Sequence, residues 1–393
     1  MIKIEIKIQT PEQQKMIPRT VYSEEHEIFR ESVKKFVAKE IEPYHAQWEK
    51  DGIVSRELWL AAGENGLLCS FIPEKYGGPG GDFLHTAIVI EELAKVEASG
   101  PAFHLHSGIV APYILNYGTE EQKNRLLPRM CSGEIIGAVA MSEPGAGSDL
   151  ASIQTSAVRA GDEYTINGQK TFISNGQLAD LVVTACKTDK EAGAKGISLI
   201  LVERGDGGFT RGRNLEKVGW KAQDTSELFL EDVKIPVDRL LGEENKGFSY
   251  LIDELAQERL IVAIRAASTI ETALDQTVVY TKARKAFGKT IFSFQNTRFK
   301  LAEIKTQATL TRIFVDRCIE LHMANQLSAD DAAMAKLQST ETMCSILDDC
   351  LQLFGGYGYM WEFPIARAWA GQRVSRIAGG SSEVMKEIIA RTF

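Results

Sequence analysis

The sequence predicts an α+β protein in which helices, then strands, then helices again follow one another along the chain. Three observations carry that reading. Apolar residues recur at helical spacing from Ser23 through the first third, the period falls to about two between Ile135 and Lys246, and it returns to about 3.6 beyond Gly247. At 393 residues the chain exceeds the size at which one core usually splits. The expected divisions are an arm over 1–19, an N-terminal helical domain over 20–134, a central β-barrel or sandwich domain over 135–246, and a C-terminal four-helix bundle over 247–393.

Each element has its own signal. MIKIEIKIQT alternates isoleucine with polar residues, which suits an edge strand, and the proline-marked QTPEQQKMIPRT suits a loose arm. Ile28, Phe29, Val33, Phe36, Val37 and Ile41 form a helical stripe that begins at Ser23 and meets Pro43. Ser55 opens a helix through Leu58, Trp59 and Leu60 that stops at Asn65-Gly66; PEKYGGPGG is a loop, and a helix follows from Leu84 to Val96. TEEQ at Thr119 to Gln122 is a capping box. In the β region, EYTINGQKTFI places Asn167-Gly168 between alternating runs, the chemistry of a hairpin turn. LVVTACKT, GISLILVER and SELFLEDVKIP are further strands. LIDELAQERLIVAIRAAS, RFKLAEIKTQATLTRIFVDRCIELHMA and AAMAKLQSTETMCSILDDCLQLF are long helices that pack best as a bundle.

Composition removes several classes of function. Hydrophobic residues make up 44% and charged residues 25%, the balance of a soluble globular protein. The net charge is −8 without a basic stretch, so a nucleic-acid partner lacks its electrostatic footprint. No apolar window approaches a membrane span, and the N-terminus lacks the apolar block of a signal peptide. The six scattered cysteines contain no CxxC pair and suit reduced core thiols. His104 and His106 are too few to gather a zinc ligand set, so no metal is expected.

Five segments offer chemistry. In AMSEPGAGSDL, Gly145, Ala146 and Gly147 between Ser142 and Ser148 either form a plain turn or let backbone donors approach a ligand closely. LQLFGGYGYM breaks a helix at Gly355, Gly356 and Gly358, either as a simple stop or as a bend that admits a ligand. IAGGSSEVMKEIIAR breaks another at Gly379-Gly380, ahead of a hydroxyl-capped helix start. Glu258 and Arg259 interrupt an apolar helical stretch; Glu258 shares a face with Leu255, Ile261 and Val262, so it is either half of a structural ion pair or a base of raised pKa. ARKAFGK gathers Arg284, Lys285 and Lys289 around Phe287, as a solvated surface or a ligand contact.

Taken together, AMSEPGAGSD, INGQKTFISNG, RKAFGK, LQLFGGYGYM and GGSSEV…IIAR resemble the acyl-CoA dehydrogenases in order and spacing over residues 20–393. QERL and GGSSEVMKEIIAR look most like the long-chain type. The resemblance implies the acyl-CoA dehydrogenase fold, a homotetramer, and FAD held between domains and across a subunit interface. Carried over residue by residue, Ser142, Gly147 and Ser148 would line the flavin and its pyrophosphate, and Phe172 and Ser174 would lie beside the ring system. Phe172 stands where tryptophan is common. Arg284, Phe287 and Gln295 would reach the FAD of a neighbouring subunit, Gln352, Gly355 and Gly356 would follow its adenosine end, and Ser381 and Glu383 would touch FAD near the catalytic loop. Ser148 and Arg259 would also meet the substrate.

One departure from the family pattern concerns the base. Many members carry glutamate directly before the glycine of an EGTSE segment, where this chain has Gly379. The long-chain and isovaleryl types place the glutamate at the position of Glu258, which is therefore the expected catalytic base. The backbone N–H of Gly379 would still hold the thioester oxygen. The implied reaction is FAD-dependent α,β-dehydrogenation of an acyl-CoA, long or branched, to the trans-2-enoyl-CoA, with electrons passed to electron-transferring flavoprotein. Its setting would be the bacterial cytoplasm, or the mitochondrial matrix after removal of a transit peptide. An oxygen-using oxidase or monooxygenase on the same fold, or a non-catalytic acyl-CoA or FAD binder, are the competing readings.

Overall fold

The computed structural model describes residues 16–393, so the isoleucine alternation of the arm lies outside the described residues. The chain forms two compact units. One comprises Ser23–Leu93 and Ala98–Ile261; the other comprises the described residues up to Tyr22, Ala94–Glu97 and Val262–Phe393.

In the first unit, helices α1 (Glu24–Phe36) and α2 (Glu42–Asp51) are joined by one π-helical turn, Val37–Ile41. The helical stripe that meets Pro43 therefore continues past it. Pro43 sits in the first turn of α2, where its missing N–H is not needed, and the wider turn before it relieves the clash of its ring with the preceding carbonyls. Helices α3 (Arg56–Glu64) and α4 (Phe83–Lys95) follow. The same proline device recurs between α5 (Phe103–Leu105) and α6 (Ala111–Tyr117), where the π turn His106–Val110 precedes Pro112. Helix α7 (Glu120–Cys131) opens on the expected capping box: Gln122 N donates to Thr119 Oγ1 at 3.2 Å and Thr119 N donates to Gln122 Oε1 at 3.0 Å.

Two polar ties hold α1 to α4. Arg30 donates to Glu91 and Glu92 at 2.8 Å each, with all three side chains nearly excluded from solvent. Asp82 accepts from Leu84 N at 2.9 Å and faces His85 Nδ1 at 2.9 Å and His26 Nε2 at 3.2 Å. His26, Asp82 and His85 bring three potential ligand atoms within 4.8 Å of one another. However, Ser23 N donates to His26 Nδ1 at 3.2 Å, which leaves Nε2 as that ring's donor toward Asp82. His106 is likewise a satisfied core histidine: Gly137 N donates to its Nδ1 and its Nε2 donates to Met130 O, both at 3.0 Å.

Strands β1 (Gly137–Ala140), β2 (Ser156–Ala160), β3 (Glu163–Ser174), β4 (Leu181–Lys187), β5 (Ile197–Glu203), β6 (Phe209–Asn214), β7 (Thr225–Pro236) and β8 (Leu240–Leu241) form one mixed sheet in the order β6-β7-β3-β2-β4-β5-β8. β1 and β2 lie in succession along the same edge of β4, both parallel to it. β4 is buried throughout because the two faces of the sheet serve different layers. Leu181, Val183 and Ala185 pack toward Tyr113, Ile114, Leu126 and Met130 of α6 and α7. Val182 and Cys186 pack instead with Tyr164, Ile166, Leu228 and Val233.

Asn167-Gly168 is not the hairpin turn. The β2–β3 turn is Gly161-Asp162, with Gly161 at φ +63°, and Asn167-Gly168 lies inside β3 at a register shift against β7. Glycine is required there because a Cβ would fall 2.4 Å from Thr155 Oγ1.

Helix α8 (Gly247–Ala283) gives its first part to the first unit and the rest, from Val262, to the second. The second unit continues with a short hairpin of β9 (Lys285–Ala286) and β10 (Lys289–Thr290), then α9 (Gln295–Met323), α10 (Ala329–Phe354), α11 (Pro364–Gln372) and α12 (Ser382–Ala390). Its apolar core takes Ile270, Leu274 and Val278 from α8, Leu301 and Ile304 from α9, Met343 and Leu347 from α10, and Ile365 from α11. α12 packs on α10. Among the described residues no helix is long and apolar enough to cross a membrane, and all six cysteines are unbridged.

Candidate functional site

Along the first turns of α8, Leu251, Glu254, Glu258 and Ile261 form a buried stripe spaced three, four and three apart, with Gly247, Arg259 and Leu260 also buried. Two carboxylates thus occupy places in a stripe that helix periodicity reserves for apolar side chains. Glu258 is 8% exposed, and Tyr113 Oη donates to its Oε1 at 3.0 Å. Burial pushes its carboxyl up to about 7; the Glu254 charge adds to that, while the Tyr113 hydrogen bond and the Arg259 charge offset part of it. A carboxyl poised near neutrality can accept a proton from a weak carbon acid. Arg259 is 5% exposed, and its Nε has no hydrogen-bond partner among the described residues. A buried donor in that state calls for an acceptor that the described residues do not supply.

The glycine-rich loop after β1 is held from beneath. Glu143 and Ala146 exchange backbone hydrogen bonds at 2.8 and 3.1 Å around Pro144-Gly145. The Glu143 carboxylate accepts from Gln154 N at 2.6 Å, Thr155 N at 3.0 Å and Lys170 Nζ at 2.9 Å. Burial alone would raise Glu143, but the Lys170 charge and these donors hold it below the usual range. Above this anchor the loop is open: a Cβ on Gly145 or Gly147 would meet nothing within 4 Å, and Gly147 and Ser148 are exposed. The chain's own packing does not demand these two glycines.

Thr171 N donates to Ser142 O at 3.0 Å, which brings Ser142 and the neighbouring strand residues together. The next residue, Phe172, lies where the β3–β7 register shifts between Lys170 and Ile173. It takes φ +60° and leaves its ring 70% exposed. A bulge that turns an aromatic side chain out of the sheet, in a backbone conformation costly for a non-glycine residue, is a feature of ligand sites rather than of cores. Ser174 is half-buried and pairs with Thr225.

In the second unit, Phe287 (φ +53°) and Gly288 (φ +79°) form the two-residue turn of the β9–β10 hairpin, and the Phe287 ring is 94% exposed. Arg284 lies over the Tyr357 ring at 5.5 Å, bringing the base of the hairpin to the GGYGY segment. That segment hangs from Phe354, whose carbonyl accepts from Tyr280 Oη at 3.1 Å and whose ring stacks on Tyr280 at 4.1 Å. Gly355 has φ +59° and Gly358 packs on Leu351 O, where a Cβ would come within 2.4 Å. Gly356 has neither constraint and faces open space. Gln295 and Gln352 are exposed.

Gly379 (φ +67°) and Gly380 (φ +92°) precede α12. Their loop is pinned to α10: the fully buried Lys336 donates to Gly380 O, and Glu341 accepts from Ser382 Oγ and from Arg376 Nε at 2.7 Å. Ser381 caps α12, its hydroxyl accepting from Val384 N, and Glu383 is exposed in the first turn. Ser381 thus caps the helix, and Glu383 places a negative charge in its first turn, in addition to any ligand contact.

Sequence reasoning did not find Tyr113, Glu254 or Lys170. A signal existed for two of them. Lys170 falls in phase with the inward-facing Tyr164 and Ile166 of β3, and Glu254 falls four residues before Glu258. Tyr113 carries no such mark in an apolar helix. Within the first unit, the open Gly145 and Gly147 and the outward Phe172 ring fit contact with a large cofactor, and the buried Arg259 Nε fits an anionic or carbonyl-bearing ligand.

Comparison with known proteins agrees with this chemistry. The family descriptions "Acyl-CoA dehydrogenase, N-terminal domain", "middle domain" and "C-terminal domain" match residues 23–134, 138–233 and 245–393. The chain is 52% identical over 392 residues to the long-chain specific acyl-CoA dehydrogenase, mitochondrial, of Mus musculus, covering 98% of this chain and 91% of that protein. It is similar to a crystal structure of acyl-CoA dehydrogenase from Geobacillus kaustophilus, with TM-score 0.94, 51% identity, and coverage of 95% and 99%. A glutaryl-CoA dehydrogenase from Mycobacterium smegmatis in complex with FADH2 superposes with TM-score 0.87 at 26% identity, covering 95% of each chain.

Proposed function

Because the chain belongs to the acyl-CoA dehydrogenase family, we propose that it oxidises long-chain acyl-CoA thioesters to trans-2-enoyl-CoA, with Glu258 as the base and electron-transferring flavoprotein as the electron acceptor. The observation that carries the assignment of the base is the Glu258 carboxylate: buried, held by Tyr113 at 3.0 Å and raised to about 7, in a chain whose position 379 has no side chain.

Acyl-CoA dehydrogenases use FAD, which when bound supplies the acceptor for the β-hydride. The chain's own residues do the rest. Ser142, Gly147 and Ser148 offer hydroxyl and backbone donors on an open loop to the flavin and pyrophosphate, and Phe172 offers a stacking face. Arg284, Phe287 and Gln295 serve a neighbouring subunit's cofactor in a homotetramer, and Gln352, Gly355 and Gly356 follow the adenosine end. Ser381 and Glu383 complete the contacts. Glu258 takes the α-proton, and the Gly379 amide supplies a hydrogen bond to the thioester oxygen on which charge develops. Arg259 and Ser148 meet the substrate. Water displaced by the acyl chain leaves Glu258 in a drier setting, where it is a stronger base.

The test is anaerobic reduction of the purified yellow protein by acyl-CoA esters from short to long, isovaleryl-CoA included. Bleaching that is fastest with long chains supports the reading. A preference for isovaleryl-CoA would reassign the substrate, and no bleaching with any ester would reject it.

A further inference from the structure

We propose that Tyr113 and Glu254 are positioning residues that set the proton affinity of Glu258 from opposite sides, the tyrosine by holding Oε1 and the second carboxylate by standing one turn earlier on the same buried helix face. The inference rests on the reading of Glu258 as the base.

Tyr113 is fully buried on α6, and its hydroxyl donates to Glu258 Oε1 at 3.0 Å. A hydroxyl donor favours the ionised carboxylate, so it lowers the affinity for a proton. It also ties up one oxygen and leaves Oε2 to receive the proton. Glu254, four residues earlier and also 8% exposed, lies on the same face. Its negative charge disfavours a second one on Glu258, and the affinity for a proton rises.

Glu254 is itself kept in place. Asn116 Nδ2 donates to its Oε1 at 2.8 Å, and Tyr117, whose ring stacks on Tyr250 at 4.0 Å, favours its ionised form. Burial raises the Glu254 carboxyl too, so both carboxyls of this pair lie above the ordinary range. The other groups acting on this pair are Arg259, which favours ionised Glu258, and Asp253, which disfavours ionised Glu254. Gln257, between them in sequence, is uncharged and donates to Gly108 O at 2.7 Å. Burial brings the base near neutrality, and the donor and the like charge adjust it there with effects opposite in sign.

The experiment uses the FAD-loaded protein and two variants that each remove one of these two interactions. Tyr113→Phe keeps the ring and removes the hydroxyl; Glu254→Gln keeps an acceptor for Asn116 and removes the charge. The first readout is the pH midpoint of anaerobic flavin bleaching by a long-chain acyl-CoA. The second, independent of turnover, is the infrared carbonyl stretch of protonated Glu258, assigned by its loss in Glu258→Gln and followed against pH. Tyr113→Phe is expected to move both midpoints upward and Glu254→Gln to move both downward, each by about half a unit or more. Unmoved midpoints, or shifts in the same direction, overturn the proposal; if one variant does not fold, the sign of the other decides. Normal bleaching by Glu258→Gln would instead remove Glu258 as the base, so the two failures are distinguishable.

Discussion

Lys170 and Glu143 form an ion pair at 2.9 Å in which the lysine side chain is wholly excluded from solvent and the glutamate nearly so. Lys170 also donates to Met141 O at 3.1 Å, so a single ammonium secures both the start of the glycine-rich loop and the carboxylate beneath it. The open, glycine-lined surface above is anchored by polar groups that are satisfied below it.

Breaking this pair from one side should be costly. Lys170→Met leaves Glu143 buried with only backbone donors, and a loss of about 3–5 kcal/mol in urea unfolding is expected. The double variant Lys170→Met/Glu143→Gln should recover most of it. A single variant as stable as the parent would show that the pair does not anchor the loop.

Glu258→Gln should retain FAD and lower the rate of flavin bleaching by about 10²–10⁴-fold. In the parent the ionised carboxylate is the active form, so bleaching should rise with pH through about 7. Stability should run the other way. A carboxyl raised in the folded state binds protons more tightly folded than unfolded, so stability falls as pH rises from the ordinary carboxyl range through about 7. Thermal melts of Glu258→Gln should therefore show a gain over the parent at pH 8 that disappears near pH 5.

The glycines after α10 should separate by role. Gly358→Ala drives a Cβ against Leu351 O and should cost roughly 1–3 kcal/mol with or without cofactor. Gly356→Ala meets no described atom and should leave the unfolding of the cofactor-free chain unchanged while weakening FAD retention. Equal FAD affinity in Gly356→Ala and parent would remove this bend from the cofactor site.

Phe287 at the hairpin tip is 94% exposed and contributes little to its own unit's core. Phe287→Ala should therefore leave the melting of the cofactor-free protein unchanged and speed FAD release on dilution. Unchanged FAD release would argue against a contact with a neighbouring subunit's cofactor.

The sequence by itself determined the succession of helical, β and helical regions, because the spacing of apolar residues reports which face of an element is buried. It also determined the Thr119–Gln122 capping box, which is a local hydrogen-bond pattern, and the family, whose glycine and hydroxyl motifs retain their order along the chain. Tertiary structure decided everything that depends on a neighbour. Asn167-Gly168 has the composition of a turn, yet it lies within β3, paired with β2 and β7, and its glycine answers to Thr155, which approaches too closely for any Cβ. Short α11, with few turns to show a period, became visible only through its packing against α10. Glu258 was legible as a carboxylate in an apolar stripe, but periodicity cannot name what faces that stripe. The Tyr113 hydroxyl comes from a helix 145 residues away in sequence, and that contact distinguishes a poised base from a buried charge.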